Sequence, residues 1–193
     1  MRGPNEPLRI ERAEGPWLYT SDGHKILDAG AGAVVVNIGQ GRREIAEVAA
    51  RTISKLDYIV PVWTSAERER LAERLTGWTP PGLSRFFFTS GGSESVEAAL
   101  KFSILYNKAR GKQSKSKVIG RRFSYHGNTI AALSAGGSGR RADYEHVLLD
   151  WPKIDPSYCY RCPWGKTYPS CDLDCASALE QEILKHGPDS IAA

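Results

Sequence analysis

Two short runs, Trp17 to Thr20 and Lys25 to Asp28, flank the tetrapeptide Ser21-Asp22-Gly23-His24. Asp-Gly suits the positive φ angles of tight turns, so the pattern predicts a β-hairpin. Ala29 to Gly32 is a stretch of small residues, and Val34-Val35-Val36 is an apolar patch. From Arg42 to Leu56, the residues Ile45, Val48, Ala49, Ile53 and Leu56 share one helical face, which predicts an amphipathic helix. Pro61 interrupts it. Thr64 and Glu67 then form a capping-box pair ahead of a second helix expected to bury Leu71, Ala72 and Leu75. Trp78 to Gly82, with Pro80-Pro81, reads as a loop.

Phe86-Phe87-Phe88 is a short apolar run suited to a buried strand. Thr89 to Ser93 is a small, polar turn, and from Val96 the residues Ala99, Leu100 and Ile104 recur at helical spacing. After a polar loop at Gly111 to Ser116, a strand is expected at Lys117 to Gly120 and a short helix over Thr129 to Ala135, stopped by Gly136-Gly137. His146 to Leu149 is a further strand candidate. Ala176 to Lys185 reads as a helix with Leu179, Ile183 and Leu184 facing inward, stopped by Gly187-Pro188 and followed by a strand opening at Ser190-Ile191. Strands alternating with helices indicate an α/β fold with a mostly parallel sheet. Two segments are expected: a hairpin and helix over residues 1–60, and a sheet-and-helix segment over 61–193. There is no internal repeat.

Composition narrows the function classes. The 193 residues are 41% hydrophobic and 25% charged, which suits a soluble globular chain with one core. No run approaches a transmembrane span, and the start MRGPNEPLRIERAEG lacks a secretory apolar core, so a cytoplasmic location is the expectation. The net charge of +4 is mild. Basic residues gather between Lys108 and Arg122 without an interleaved aromatic platform, so the run reads as a solvated helix end and loop rather than a nucleic-acid surface.

The candidate chemistry lies in Arg85 to Lys101, RFFFTSGGSESVEAALK. A strand, a Gly-Gly turn and a helix start together form an anion site, because the first helix amides are unpaired and carry the positive end of the dipole. The same residues also admit a plain tight turn with Ser93 as its N-cap. Neither a Walker loop nor the three-glycine dinucleotide fingerprint is present. Cys159, Cys162, Cys171 and Cys175 give C-x2-C-x8-C-x3-C. Four thiolates so spaced admit a structural zinc or an iron–sulfur site, or four reduced cysteines in a loop.

Several motifs resemble one family in its order. Ser90-Gly91-Gly92-Ser93-Glu94-Ser95-Val96-Glu97-Ala98-Ala99-Leu100-Lys101 is similar to the phosphate loop of the class III aminotransferases, and Tyr125-His126-Gly127-Asn128-Thr129 to their aromatic-His-Gly-x-Thr segment. Asp22-Gly23 through Leu27-Asp28 and Asn37-Ile38-Gly39-Gln40-Gly41 resemble their N-terminal hairpin and turn, with Gln40 in place of the more usual His and Ser95-Val96 in place of Ala-Asn. The resemblance implies part of the fold type I pyridoxal phosphate (PLP) transferases, with residues 61–193 forming the first part of the large cofactor domain.

By that resemblance Gly91, Gly92 and Ser93 hold the phosphate, Tyr125 lies on the pyridine ring and His126 orients it. A homodimer is implied, acting on an amino donor and a 2-oxo acid acceptor. Related PLP reactions are aminomutation, racemisation and decarboxylation. The acidic partner of the ring nitrogen and the Schiff-base lysine have no matching motif here, and Lys153, Lys166 and Lys185 do not supply one, so no catalytic residue is assigned. Family members are roughly twice this length, which makes a fragment the expectation. The alternatives are a non-catalytic partial subunit and a zinc-binding interaction module built on the four cysteines.

Overall fold

The computed structural model describes residues 7–137 and 139–193, and the chain divides into two units between Ser84 and Arg85. In the first unit, β1 (Ile10–Glu14), β2 (Trp17–Thr20) and β3 (Lys25–Leu27) form an antiparallel sheet in that order, with Trp17 opposite Leu27 and Tyr19 opposite Lys25. The hairpin is where the Asp22-Gly23 turn predicts it. Inside the turn, Thr20 Oγ1 accepts from the His24 amide at 2.9 Å and donates to Asp22 Oδ1 at 2.5 Å. β1 escapes the hydrophobic pattern because three of its five residues are charged. It is held partly by the Arg12 guanidinium, 3.5 Å from the centre of the Tyr19 ring.

Gly15 and Gln40 exchange two backbone bonds, of 3.0 and 2.8 Å, tying the Asn37–Gly41 turn to the sheet. Those bonds use only the main chain, so they place no demand on the side chain at position 40. A single turn, α1 (Ala31–Val34), has Gly32 and Ala33 in the left-handed region. α2 (Arg43–Ile53) follows the amphipathic pattern, but Ile45, Val48 and Ile53 are each more than half exposed.

α3 (Ala66–Thr76) is capped one residue later than expected. Ser65 Oγ, not Thr64, accepts from the Arg68 amide at 3.3 Å. Its apolar stripe is also not buried: Leu71 is 47% exposed, and Ala72 and Leu75 are only half-buried. Two leucines and an alanine make too narrow a stripe to be enclosed.

The second unit is built on residues 117–122. On one edge Lys117 donates to Ser190 at 2.9 Å and Ile119 to Ala193 at 2.9 Å, while Ala192 donates back to Lys117 at 2.8 Å. On the other edge β4 (Gly120–Arg121) pairs in parallel with β5 (Lys153–Ile154). The strand expected at Ser190-Ile191 thus appears as a parallel bridge between Ile191 and Lys117. Leu100 of α4 (Gly92–Ala109), Val118 and Ala135 of α5 (Ile130–Ala135) form the core, joined by Val96, Ala131 and Trp151. α5 lies so close to the sheet that a Cβ on Gly120 would overlap the Ala135 carbonyl oxygen.

Three expectations fail in this unit. Phe86–Phe88 belongs to no strand, and Phe87 is 78% exposed. The edges of 117–122 are paired with residues 190–193 and 152–154, so the described backbone bonds of that strand go to partners other than the phenylalanines. His146–Leu149 is not a strand either. A 3-10 helix runs from Gly139 to Val147, and the Leu149 amide is taken by Ser134 Oγ at 2.9 Å instead of a neighbouring strand. α6 (Asp174–His186) forms as predicted, but only Ile183 of its three leading apolar residues is half-buried; Leu179 and Leu184 are exposed. No helix among the described residues is long and apolar enough to cross a membrane.

Leu100 sits at the centre of this core, whereas Leu105, on the same helix, is largely exposed. Leu100→Ala is expected to destabilise the chain by about 2–4 kcal/mol in urea unfolding. Leu105→Ala should change it by about 0.5 kcal/mol or less. Equal effects would contradict this placement of the core.

Candidate functional site

The start of α4 is a cluster of donors without a side-chain cap. Gly91 is fully extended (φ −168, ψ 173), and the first intrahelical bond runs from the Ser95 amide to the Gly91 carbonyl at 3.1 Å. The amides of Gly92, Ser93 and Glu94 therefore precede any intrahelical acceptor. Thr89 Oγ1 shapes the approach, donating to the Gly91 carbonyl at 3.1 Å and meeting Ser95 Oγ at 2.5 Å. Glu94 folds back until Oε2 lies 2.8 Å from where a Gly91 Cβ would stand, placing a carboxylate beside the positive end of the helix.

Ser93 is not the cap of this helix. It lies inside the first turn, and its Oγ accepts from the Asn128 amide at 3.0 Å. That bond brings the Gly-Gly-Ser turn against the Tyr125–Thr129 segment. Contact is so close that a Cβ on Gly127 would fall 2.6 Å from Ser93 Oγ and 3.0 Å from Ser93 Cα. Gly127 also has φ +140, a conformation that disfavours any side chain.

Four residues further along α4, Glu97 Oε1 accepts from the Ala131 and Ala132 amides at 3.1 and 3.4 Å. Thr129, the N-cap of α5, makes no capping bond, and among the described residues its buried Oγ1 has no hydrogen-bond partner. Tyr125 is 55% exposed with the Arg140 guanidinium 4.9 Å from its ring centre, and His126 beside it is exposed. The sequence pattern did not single out Glu97, Asn128 or Arg140. Glu97 was the legible one, since i and i+4 share a helix face and Ser93 was already a candidate.

A second cleft, of about 410 Å³, is lined by Arg122, Phe123, Gly137, Arg141, Glu145 and Lys153 among others. Its cations have partners. Arg122 pairs with Asp155 at 3.0 Å, Arg141 with Glu145 at 3.0 Å, and Lys153 donates to the Trp151 carbonyl at 3.0 Å. Arg141 also donates to the Ser134 and Gly136 carbonyls at 2.9 Å, closing the end of α5. Burial, with repulsion from Arg141, lowers the Lys153 pKa to about 8 against the pull of Glu145 and Asp150. Lys166 and Lys185 are in ion pairs, with Asp174 at 2.6 Å and with Glu182 at 3.1 Å.

Cys159, Cys162, Cys171 and Cys175 all line one small void of about 20 Å³, together with Lys166 and Asp174. All four are free thiols, and only Cys171 is buried. Among the described residues, no group of three thiol, imidazole or carboxylate side chains is arranged to hold a metal ion. The zinc expectation therefore finds no support in this geometry.

The fold is the N-terminal part of the PLP-dependent transferase architecture. An amine transaminase from an uncultivated Pseudomonas species, solved in its PLP-bound form, superposes with a TM-score of 0.91 at 32% identity over 100% of this chain and 45% of its own. A thermostable (S)-enantioselective omega-transaminase from Thermomicrobium roseum gives 0.87 at 36%, over 98% and 42%. The family model described as Aminotransferase class-III matches residues 2–193, and the chain belongs to that family. Among curated relatives, the omega-aminotransferase of Caulobacter vibrioides is 34% identical over 100% of this chain and 44% of its own length. Adenosylmethionine-8-amino-7-oxononanoate aminotransferase of Geobacter sulfurreducens is 33% identical over 94% and 41%. The chain spans less than half the length of these relatives.

Two outcomes test this geometry. Gly127→Ala must relieve both a strained φ and a clash with Ser93, and is expected to destabilise by about 1–3 kcal/mol in urea unfolding. Thr129→Val, which removes an unpaired buried hydroxyl, should be neutral or stabilising. A loss on Thr129→Val comparable to that of Gly127→Ala would mean that the hydroxyl is paired after all.

Lys153 gives a pH-dependent test. Below pH 8 its ammonium is charged in both folded and unfolded chains, so the penalty of burying it is fully present. Between pH 8 and 10.5 the folded chain binds fewer protons than the unfolded one, so this group's contribution to stability rises with pH. Lys153→Met should therefore be more stable than the parent chain at pH 7, with the gap narrowing as pH passes 8. A gap independent of pH between 7 and 10 would contradict the lowered pKa.

Proposed function

We propose that this chain supplies the phosphate clamp and ring platform of a PLP-dependent aminotransferase, which moves an amino group from an amine or amino acid to a 2-oxo acid. The observation that carries the reading is the set of uncapped amides at Gly92, Ser93 and Glu94, joined to the Tyr125-His126 segment by the Ser93–Asn128 bond. That donor set suits a phosphate. It offers several N–H groups at the positive end of an 18-residue helix, behind two glycines that admit close approach.

When bound, PLP supplies the electron sink for the reaction, and the protein supplies position and electrostatics. Ser93 accepts from Asn128, which leaves its O–H free to donate to a phosphate oxygen. Gly91 and Gly92 contribute by what they lack, since side chains there would shield the amides. Tyr125 would lie flat on the pyridine ring, with Arg140 over its ring in the present structure. His126 orients the ring or its neighbours. Glu94 must swing clear of the incoming phosphate, because like charges repel. Lys153, Lys166 and Lys185, each engaged by its own partner, are not assigned a catalytic role. The same reading includes a homodimer and a cytoplasmic setting.

The reading is tested by PLP titration of the parent chain and two variants. Tyr125→Ala is expected to weaken binding about tenfold through loss of one aromatic stack. Gly92→Asp, which places a carboxylate among the phosphate donors, should lower it at least a hundredfold, on the order of 3 kcal/mol. Unchanged affinity in both variants would sink the site assignment.

A further inference from the structure

The start of α5 is unusual in being capped from outside its own segment. Thr at an N-cap ordinarily accepts from the second or third helical amide. Thr129 does not; its hydroxyl is buried without a partner among the described residues. The amides of Ala131 and Ala132 go instead to Glu97 Oε1, a half-buried carboxylate in the second turn of α4. A local helix start has become a tertiary contact. α5 is only six residues long, too short to hold itself together, so its first turn depends on being docked against α4.

Glu97 and Ser93 are i+4 and i on one face of α4 and grip the same segment at two points. Ser93 takes the Asn128 amide and Glu97 takes Ala131 and Ala132, with Gly127 pressed against Ser93 at the near end. Tyr125 and His126 come immediately before the first grip. A two-point clasp fixes the direction as well as the position of the segment, which one bond could not do.

We propose that Glu97 is a positioning residue: by capping α5 it sets the register of the Tyr125–Thr129 segment against the α4 start, and so controls how tightly the site holds the ring half of its cofactor. This role rests on the PLP reading given above. The hydrogen bonds that Glu97 accepts come from amides of α5, and the phosphate donors at Gly92 and Ser93 precede it on the helix. Its loss therefore separates ring affinity from phosphate affinity, which a general loss of folding would not do.

The test uses the parent chain, Glu97→Ala and Glu97→Gln, with pyridoxamine phosphate and inorganic phosphate as probes and amide hydrogen exchange as a readout free of ligand. In Glu97→Ala, exchange at Ala131 and Ala132 should quicken by about tenfold or more, as expected for loss of one cap. The dissociation constant for pyridoxamine phosphate should rise by about tenfold while that for inorganic phosphate stays within about twofold. Glu97→Gln keeps an acceptor oxygen and should recover most of both effects, which also covers the case that the alanine variant folds poorly. Unchanged exchange at 131 and 132 would overturn the clasp. Faster exchange with both ligands weakened equally would reduce Glu97 to a purely structural role and overturn the positioning. A parent chain that binds phosphate but shows no added affinity for pyridoxamine phosphate would overturn the PLP reading and the positioning role with it, while the exchange data would still report on the clasp.

Discussion

Three backbone amides at the start of α4 have no acceptor within their own helix, and the surrounding structure is arranged around that fact. Orphan donors at a helix start are satisfied by a cap, by water or by a ligand. Gly91 cannot cap, and the Ser93 hydroxyl accepts from the Asn128 amide instead. The donors are left without a side-chain cap, and the Glu94 carboxylate is folded back beside Gly91. The second wall, the Tyr125 segment, is held against this turn by Ser93 and Glu97 of α4, with α5 anchoring its far end.

The legibility of the sequence tracked how local each interaction is. Asp22-Gly23 announced the hairpin because the turn is specified by its own two residues. α2, α3, α4 and α6 were legible from period and punctuation. Edge and burial were not. Phe86–Phe88 reads as a buried strand in any window, but a strand is defined by its neighbours, and both edges of 117–122 are taken by 190–193 and 152–154. His146–Leu149 fails for a similar reason, since Ser134, fifteen residues away, removes the Leu149 amide from any ladder. β1 ran the other way: its charged residues hid a strand held by partners in β2.

The candidate site shows the same division. Gly91, Gly92, Ser93, Tyr125 and His126 were found as motif residues, and the geometry joins their two segments through the Ser93–Asn128 bond. Glu97 caps amides that lie 34 and 35 residues further along the chain, and it carries no local signal of that role beyond its spacing from Ser93. The cysteines were left open between a metal site and four reduced thiols, because spacing does not fix where the sulfurs lie; all four line one void, and among the described residues no group of three is arranged to hold a metal ion.

The most direct test of the central claim is a titration of the isotope-labelled chain with inorganic phosphate, followed through individual amide resonances. The account predicts saturable shifts at Gly92, Ser93 and Glu94, the orphan donors of α4. Shifts confined to the cleft around Arg122, Arg141 and Lys153, with the α4 start unmoved, would contradict it.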